Sequence, residues 1–186
     1  MYMRSTKKLT LSAILVAMSV VVMVIGGVLP VLDLSMSAMA SLIVAFAYIE
    51  IGSPYTWLIW LATTVLSAVM FPGSLLWVSY LVAFGVYPIL KGYIERAPRG
   101  LWVLFKLLFA NAAIWLMIFG CELVTGLPLF DVESLGLEIS ETVAKWIKVA
   151  LYLVLNLVFF AYDLCITACV RFYMEKLQHR FQKFLR

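Results

Sequence analysis

The ionisable residues that interrupt the long apolar runs of this chain are the first candidates for chemistry. Three of them, Glu50, Lys91 and Asp163, are predicted to form an inner polar cluster, with Lys106 nearby. Charges within a membrane are costly, usually face other helices and often mark an ion or substrate path. A structural ion pair between Lys91 and Asp163 or Glu50 is the simpler interpretation, and Lys106 is expected to snorkel to the inner surface.

Aromatic and polar residues at helical spacing form a second candidate set. Asn111, Trp115 and Glu122 lie on one face of an apolar run, because they follow one another after four and seven residues. Aromatic walls with a few convergent polar groups suit a flat or ring-shaped small molecule. The predicted substrate-binding set comprises Asp33, Trp77, Tyr80, Asn111, Trp115, Glu122, Tyr152 and Asn156. The alternative is that the tryptophans form interface belts and that the asparagines pair helices without a ligand.

Signatures of enzymes and of cofactor sites are absent from the sequence. It contains no phosphate-binding glycine loop, no zinc-ligand spacing and no nucleophile elbow. The single histidine, His179, lies in a basic stretch, where a solvated side chain is the expected state. We therefore predict a protein that is not an enzyme, uses no cofactor and has no ATP site of its own.

The composition predicts that membrane-spanning helices position these residues. Of the 186 residues, 65% are hydrophobic and only 13% are charged, whereas about 25% are charged in a typical soluble domain. Six apolar runs, bounded by Gly, Pro or charged residues, approach the length that spans a bilayer. We predict an all-α, polytopic membrane domain that uses the whole chain, with spans at 9–29, 34–51, 55–71, 74–94, 101–124 and 146–170.

The distribution of basic residues predicts the orientation. Twelve of the fourteen Lys and Arg residues fall in the N-terminal segment, around the turn between the fourth and fifth spans, or in the C-terminal tail. The positive-inside rule therefore predicts a multi-pass plasma-membrane protein with both termini in the cytoplasm. It predicts an outer loop at 125–145, which is acidic, and a basic cytoplasmic tail at 171–186. Since this rule accounts for the basic residues, the net charge of +4 does not indicate nucleic-acid binding.

Three short motifs add a resemblance to a known family. The first run carries Ala13 and Ala17 after a basic start, KKLT at 7–10, and small residues four apart let a partner helix approach closely. The sequence PVLDLS at 30–35 opens the second run, and the turns GSP at 52–54 and FPG at 71–73 bracket the third. In this layout the chain resembles the substrate-binding S components of energy-coupling-factor (ECF) vitamin transporters.

The resemblance implies a six-helix bundle in the lipid bilayer that captures a vitamin-like small-molecule substrate from outside. It also implies that Ala13 and Ala17 dock a transmembrane coupling (T) subunit, which two cytoplasmic ATPases drive. In the cycle proposed for that family, the S component topples in the membrane to release its cargo inside. The loop around Asp33 and the long outer loop would then act as lids.

Two other functions fit the same residues. A non-transport scaffold of the cell envelope, similar to rod-shape determinant membrane protein D, would share the bundle without a loaded pocket. A proton-coupled solute carrier would use Glu50, Lys91 and Asp163 for coupling. A bound small molecule distinguishes an S component from a scaffold, and proton-coupled flux through the chain alone distinguishes the carrier.

Overall fold

Six long helices run through the described part of the chain. The computed structural model describes residues 5–96, 98–126 and 141–178, and no strand occurs within these ranges. A 3-10 turn, Pro30–Leu32, joins the first two helices, and a π-helical turn, Tyr173–Leu177, continues the last one. The helices are α1 (Ser5–Val28), α2 (Asp33–Glu50), α3 (Ser53–Met70), α4 (Leu75–Ile94), α5 (Arg99–Thr125) and α6 (Glu141–Phe172).

Five of these helices, α1, α2, α4, α5 and α6, are long and apolar enough to cross a membrane. The remaining helix, α3, is outside this group because its eighteen residues include three Thr, two Ser, two Trp, a Tyr and a Pro, which lower its mean hydropathy. The predicted all-α class is confirmed. Five of the six predicted spans correspond to helices of this kind.

Glycine and proline residues explain where α3 begins and where α5 ends. Gly52 precedes α3 with a φ of +94°, which glycine adopts without strain. Pro54 then occupies the first turn, where its missing N–H is not needed. The helix α5 ends at Gly126, which caps it in the left-handed conformation with a φ of +68°.

The helix α2 lies at the centre of the bundle and packs through small residues. It contacts α1, α3, α4 and α6. Small side chains let helix backbones approach closely in lipid, where apolar burial alone gives no drive for association. The buried residues of α2 are Ser37, Ala40, Ser41, Val44, Ala45 and Ala47. Gly26 of α1 also allows a close approach of the helices, because a Cβ at this position would lie 2.8 Å from both Met36 Cβ and Leu76 Cδ1.

The helix α4 is the most buried of the apolar helices. In its most apolar stretch, 56% of the residues are buried within the bundle, whereas the corresponding share is 17–28% in α1, α5 and α6. Those three helices turn broad apolar faces outward, which suits contact with acyl chains. Residues on α4 are therefore best placed to line an interior site.

One predicted boundary differs from the structure. Residues 141–145, which were expected to belong to the outer loop, are helical, because α6 begins at Glu141. The helix continues through Lys145 and Lys148, whose side chains are exposed. The helical spacing of Tyr173 and Leu177 predicts that the basic tail continues the last helix, and the chain is helical to Leu177. The acidic stretch 127–140 and the tail from His179 onward lie outside the described residues.

Candidate functional site

A proline in α4 removes the usual partner of a backbone carbonyl in the middle of the bundle. Pro88 has no N–H, so the carbonyl of Phe84, four residues earlier, loses its α-helical donor. The preceding turn, Tyr80–Phe84, is π-helical. Tyr162 of α6 places its hydroxyl 3.0 Å from the Phe84 carbonyl oxygen and 2.7 Å from Ser41 Oγ of α2. One phenol therefore connects α2, α4 and α6 at the same level.

Next to this contact, five polar side chains form a cluster that we call the Asp163 cluster: Tyr87, Lys91, Lys106, Asp163 and Thr167. Asp163 Oδ1 accepts from the Tyr87 hydroxyl at 2.6 Å and from the Lys91 ammonium, and Oδ2 pairs with Lys106 Nζ at 2.6 Å. Lys91 also donates to the Asp163 carbonyl at 3.0 Å and to Thr167 Oγ1 at 2.6 Å. The cluster therefore joins α4, α5 and α6.

The Asp163 cluster holds two ammonium groups and one carboxylate that are largely removed from solvent. The side chains of Lys91, Lys106 and Asp163 are 6%, 13% and 8% exposed. Burying an isolated charge is costly, whereas a carboxylate shared by two ammonium groups and a phenol is well compensated. Glu95, 3.8 Å from Lys91 and 41% exposed, supplies a second carboxylate at the edge. The arrangement favours a fixed ionic tie between helices.

Two of the three residues of the predicted inner cluster come together, and the third lies elsewhere. Lys91 and Asp163 form an ion pair. Glu50 instead accepts a hydrogen bond from the Tyr173 hydroxyl at 2.8 Å, at the end of α6. The expectation that Lys106 snorkels to the surface is wrong, because Asp163 holds its ammonium group inside the bundle.

An apolar cavity of about 210 Å³ lies between α2, α4, α5 and α6, and we call it the Ala113 cavity. The rings of Phe84, Phe159 and Tyr162 lie at one end, and Ser35 lies toward the other. Apolar and aromatic walls with few polar groups are typical of small-molecule pockets. Its lining residues are Leu34, Ser35, Ala38, Ala83, Phe84, Ala110, Ala113, Ile114, Met117, Leu155, Val158, Phe159 and Tyr162.

A second cavity, of about 420 Å³, lies between α2, α4 and α6 on the other side of Tyr162, and we call it the Lys91 cavity. Side chains of both charge signs, Lys91, Glu95, Arg171 and Glu175, share its lining with apolar residues. The other lining residues are Ala45, Tyr48, Ile49, Pro88, Gly92, Ile166, Thr167, Val170 and Met174. Both cavities thus use α2, α4 and α6.

None of the eight residues of the predicted substrate-binding set lines the Ala113 cavity or the Lys91 cavity. Tyr80 has no exposed surface and is part of the apolar core. Trp77 donates its indole N–H to the Pro72 carbonyl at 3.2 Å, in the turn before α4. Asp33 accepts from the Ser74 hydroxyl at 3.2 Å, which ties the starts of α2 and α4 together.

Two further members of that set, Asn111 and Tyr152, link α5 to α6, and a third, Asn156, bonds within α6. Tyr152 donates its hydroxyl proton to Asn111 Oδ1, and Asn111 Nδ2 donates to the Leu107 carbonyl at 2.8 Å. Asn156 donates its amide to the Tyr152 carbonyl at 3.0 Å. The Asn111 contact with Tyr152 is interhelical, as in the alternative interpretation of the asparagines, whereas the Asn156 contact lies within α6.

The packed face of α5 is displaced by about one residue, or roughly 100° around the helix, from the predicted face. Trp115 is 65% exposed and stacks on Phe119, and Glu122 is exposed as well. The residues of α5 that are buried are Ala110, Ala113, Ile114, Met117 and Cys121. The two alanines were the missed signal, because small residues mark the face that neighbouring helices approach.

The predicted docking residues lie on the outer face of α1. Ala13 and Ala17 are exposed, whereas Ser12, Leu15 and Ser19 on the opposite face are buried against the bundle. This small-residue face is therefore accessible to a helix of another molecule.

Comparison with protein-family models, with curated proteins and with solved structures gives no match for this chain. The geometry of the two cavities and of the Asp163 cluster is therefore the basis for assigning a function.

Proposed function

We propose that this chain is an integral membrane protein that captures a small ring compound, as the substrate-binding subunit of an uptake system. The observation that supports this most is the Ala113 cavity, which lies between four helices and has aromatic side chains at one end. A dry cavity of roughly 150 Å³ accepts benzene. A volume of about 210 Å³ suits a somewhat larger, mostly uncharged ring system, such as part of a vitamin-like molecule.

The proposed orientation makes the Ala113 cavity the capture site on the outer side. Its α2 lining comes from residues 34–38, at the end of α2 opposite Glu50. With both termini in the cytoplasm of a plasma-membrane protein, this end of α2 faces outward. In this arrangement α3 is the sixth span, since eighteen residues extend about 27 Å at 1.5 Å per residue, close to the hydrocarbon thickness.

Energy for uphill uptake would come from other subunits in this proposal. The exposed face around Ala13 and Ala17 is the surface that we assign to a transmembrane coupling subunit, which cytoplasmic ATPases would drive. This assignment is supported by the exposure of both alanines, since the opposite face of α1 is buried against the bundle. Small residues four apart allow the close helix contact that such docking needs.

Native mass spectrometry of protein purified in a mild detergent tests the proposal. We expect one equivalent of a small molecule to co-purify and to dissociate at raised collision energy, where it can be identified. A protein that carries only lipid and detergent, after growth in rich medium, would contradict capture. That result would favour the membrane scaffold.

A further inference from the structure

The Ala113 cavity and the Lys91 cavity follow the same helices and are separated by about one helical turn. The Ala113 cavity ends at Phe84 on α4 and Tyr162 on α6, and the Lys91 cavity begins at Pro88 and Ile166. Four residues of helix correspond to about 6 Å. The two cavities therefore form an interrupted path along α2, α4 and α6, and we call the interruption the septum.

Hydrogen-bonded polar side chains make up much of the septum. Tyr162 contacts Ser41 across α6 and α2, and Tyr87 contacts Asp163 across α4 and α6. Separating interlocked apolar side chains leaves voids, which are costly. Interhelical hydrogen bonds in membranes are individually weak, because separated groups find other partners. The Tyr162–Ser41 contact is therefore the part of the septum that can open at low cost, whereas the Asp163 cluster keeps α4, α5 and α6 together.

The helix α4 contains a break at the level of the septum. The π-helical turn Tyr80–Phe84 separates the helical pieces Leu75–Ser79 and Tyr87–Ile94, and Pro88 lies in the first turn of the second piece. Prolines and π-helical turns are the usual places where helices bend. The two halves of α4 can therefore tilt against each other where the septum lies.

We infer that the septum is a gate through which a solute passes from the Ala113 cavity to the Lys91 cavity, so that the chain contains its own route across the membrane. This inference rests on the proposed function, because the solute is the one captured in the Ala113 cavity. The cargo is an uncharged ring compound, since the Ala113 cavity offers a charged group no partner. The charged edge of the Lys91 cavity is its exit to water. Release by this route does not require the bundle to topple.

Two cysteine variants on α2 test the route. Ala38→Cys and Ala45→Cys introduce thiols into the Ala113 cavity and the Lys91 cavity, in a background where Cys121, Cys165 and Cys169 are replaced by Ser. The probe is a membrane-impermeant, uncharged methanethiosulfonate applied to one side of sealed, oriented vesicles. We expect each thiol to react much faster from one side than from the other, with opposite sides favoured for the two thiols. Faster reaction of both from the same side, or reaction of neither, would overturn the route.

The Tyr162→Phe variant tests the gate itself. It removes the hydroxyl that contacts Ser41 and the Phe84 carbonyl. The loss of one interhelical hydrogen bond in a membrane corresponds to roughly a threefold change. We therefore expect the thiol of Ala38→Cys to react roughly threefold faster from the Lys91-cavity side. Tyr93→Phe is the matched control, because the Tyr93 hydroxyl bonds Ser53 outside both cavities.

Unchanged labelling in Tyr162→Phe, or an equal acceleration in Tyr93→Phe, would overturn the gate. If Tyr162→Phe does not accumulate, Ser41→Ala removes the same contact from α2, and the same acceleration is expected. The labelling needs no ligand, so the two proposals can fail separately. A bound compound without the labelling pattern removes the gate, whereas the labelling pattern without a bound compound removes the capture function.

Discussion

The phenol of Tyr87 donates to Asp163 Oδ1 over 2.6 Å and joins α4 to α6 between the two cavities. Tyr87 has no exposed surface, and its ring centroid lies 4.8–5.8 Å from those of Phe109, Phe159 and Tyr162. The ring is thus held by packing, while its hydroxyl shares the carboxylate with two lysines. Asp163 is an acceptor on which donors from α4 and α5 converge.

Replacing Asp163 by Asn is expected to lower stability strongly. The carboxylate compensates both Lys91 and Lys106, and removing one partner of a buried ion pair typically costs about 3–5 kcal/mol. The thermal unfolding midpoint in detergent should fall well below that of the wild type. Glu175→Gln is the control, because Glu175 is exposed on the same continuous helix. Equal unfolding midpoints for the two variants would show that the Asp163 carboxylate does not stabilise the fold.

Replacing Lys106 by Met is expected to cost much less than Asp163→Asn. The variant leaves Lys91 and Asp163 as a balanced pair. In the Asp163→Asn background the same change should restore part of the lost stability, because it removes an uncompensated charge. Thermal unfolding of both single variants and the double variant measures this coupling.

Lys148→Met, at an exposed position on α6, is the matched control for Lys106→Met and should leave the midpoint unchanged. Strictly additive effects of Lys106→Met and Asp163→Asn would contradict a shared carboxylate.

Replacing both Ala13 and Ala17 by Trp is expected to abolish uptake while ligand binding survives. Two indole rings on the outer face of α1 would hold a partner helix away, and they touch neither cavity. Whole-cell uptake and native mass spectrometry measure the two effects. Ala161→Trp with Ala168→Trp places the same rings on an exposed face of α6 and should preserve uptake. Loss of uptake in both pairs, or in neither, would remove the docking assignment.

The helices themselves were predictable because their limits follow from apolar length and from Gly, Pro and charged residues. The run 74–94 predicted α4 within one residue at its start, and Gly126 marks the end of α5. Lys91 and Asp163 were also identified, since an ionisable group in lipid needs a partner.

The Ala113 cavity could not be located from the sequence, because its lining consists mainly of ordinary apolar residues. Asn111 and Trp115 drew attention to one face of α5, but Ala110 and Ala113 face the neighbouring helices. Helical spacing defines a face without saying which direction it points, and tertiary packing decides that. The role of Lys106 was missed for the same reason, since its partner lies 57 residues away on another helix.

The capture of a small molecule in the Ala113 cavity is the central claim, and filling that cavity tests it most directly. Ala113→Phe places a ring in the cavity, whereas Ala112→Phe, one residue earlier, places the same ring on the exposed face of α5. Native mass spectrometry of both variants, purified as the wild type is, should show the small molecule retained by Ala112→Phe and lost from Ala113→Phe. Equal retention by the two variants would contradict the assignment of the Ala113 cavity as the binding site.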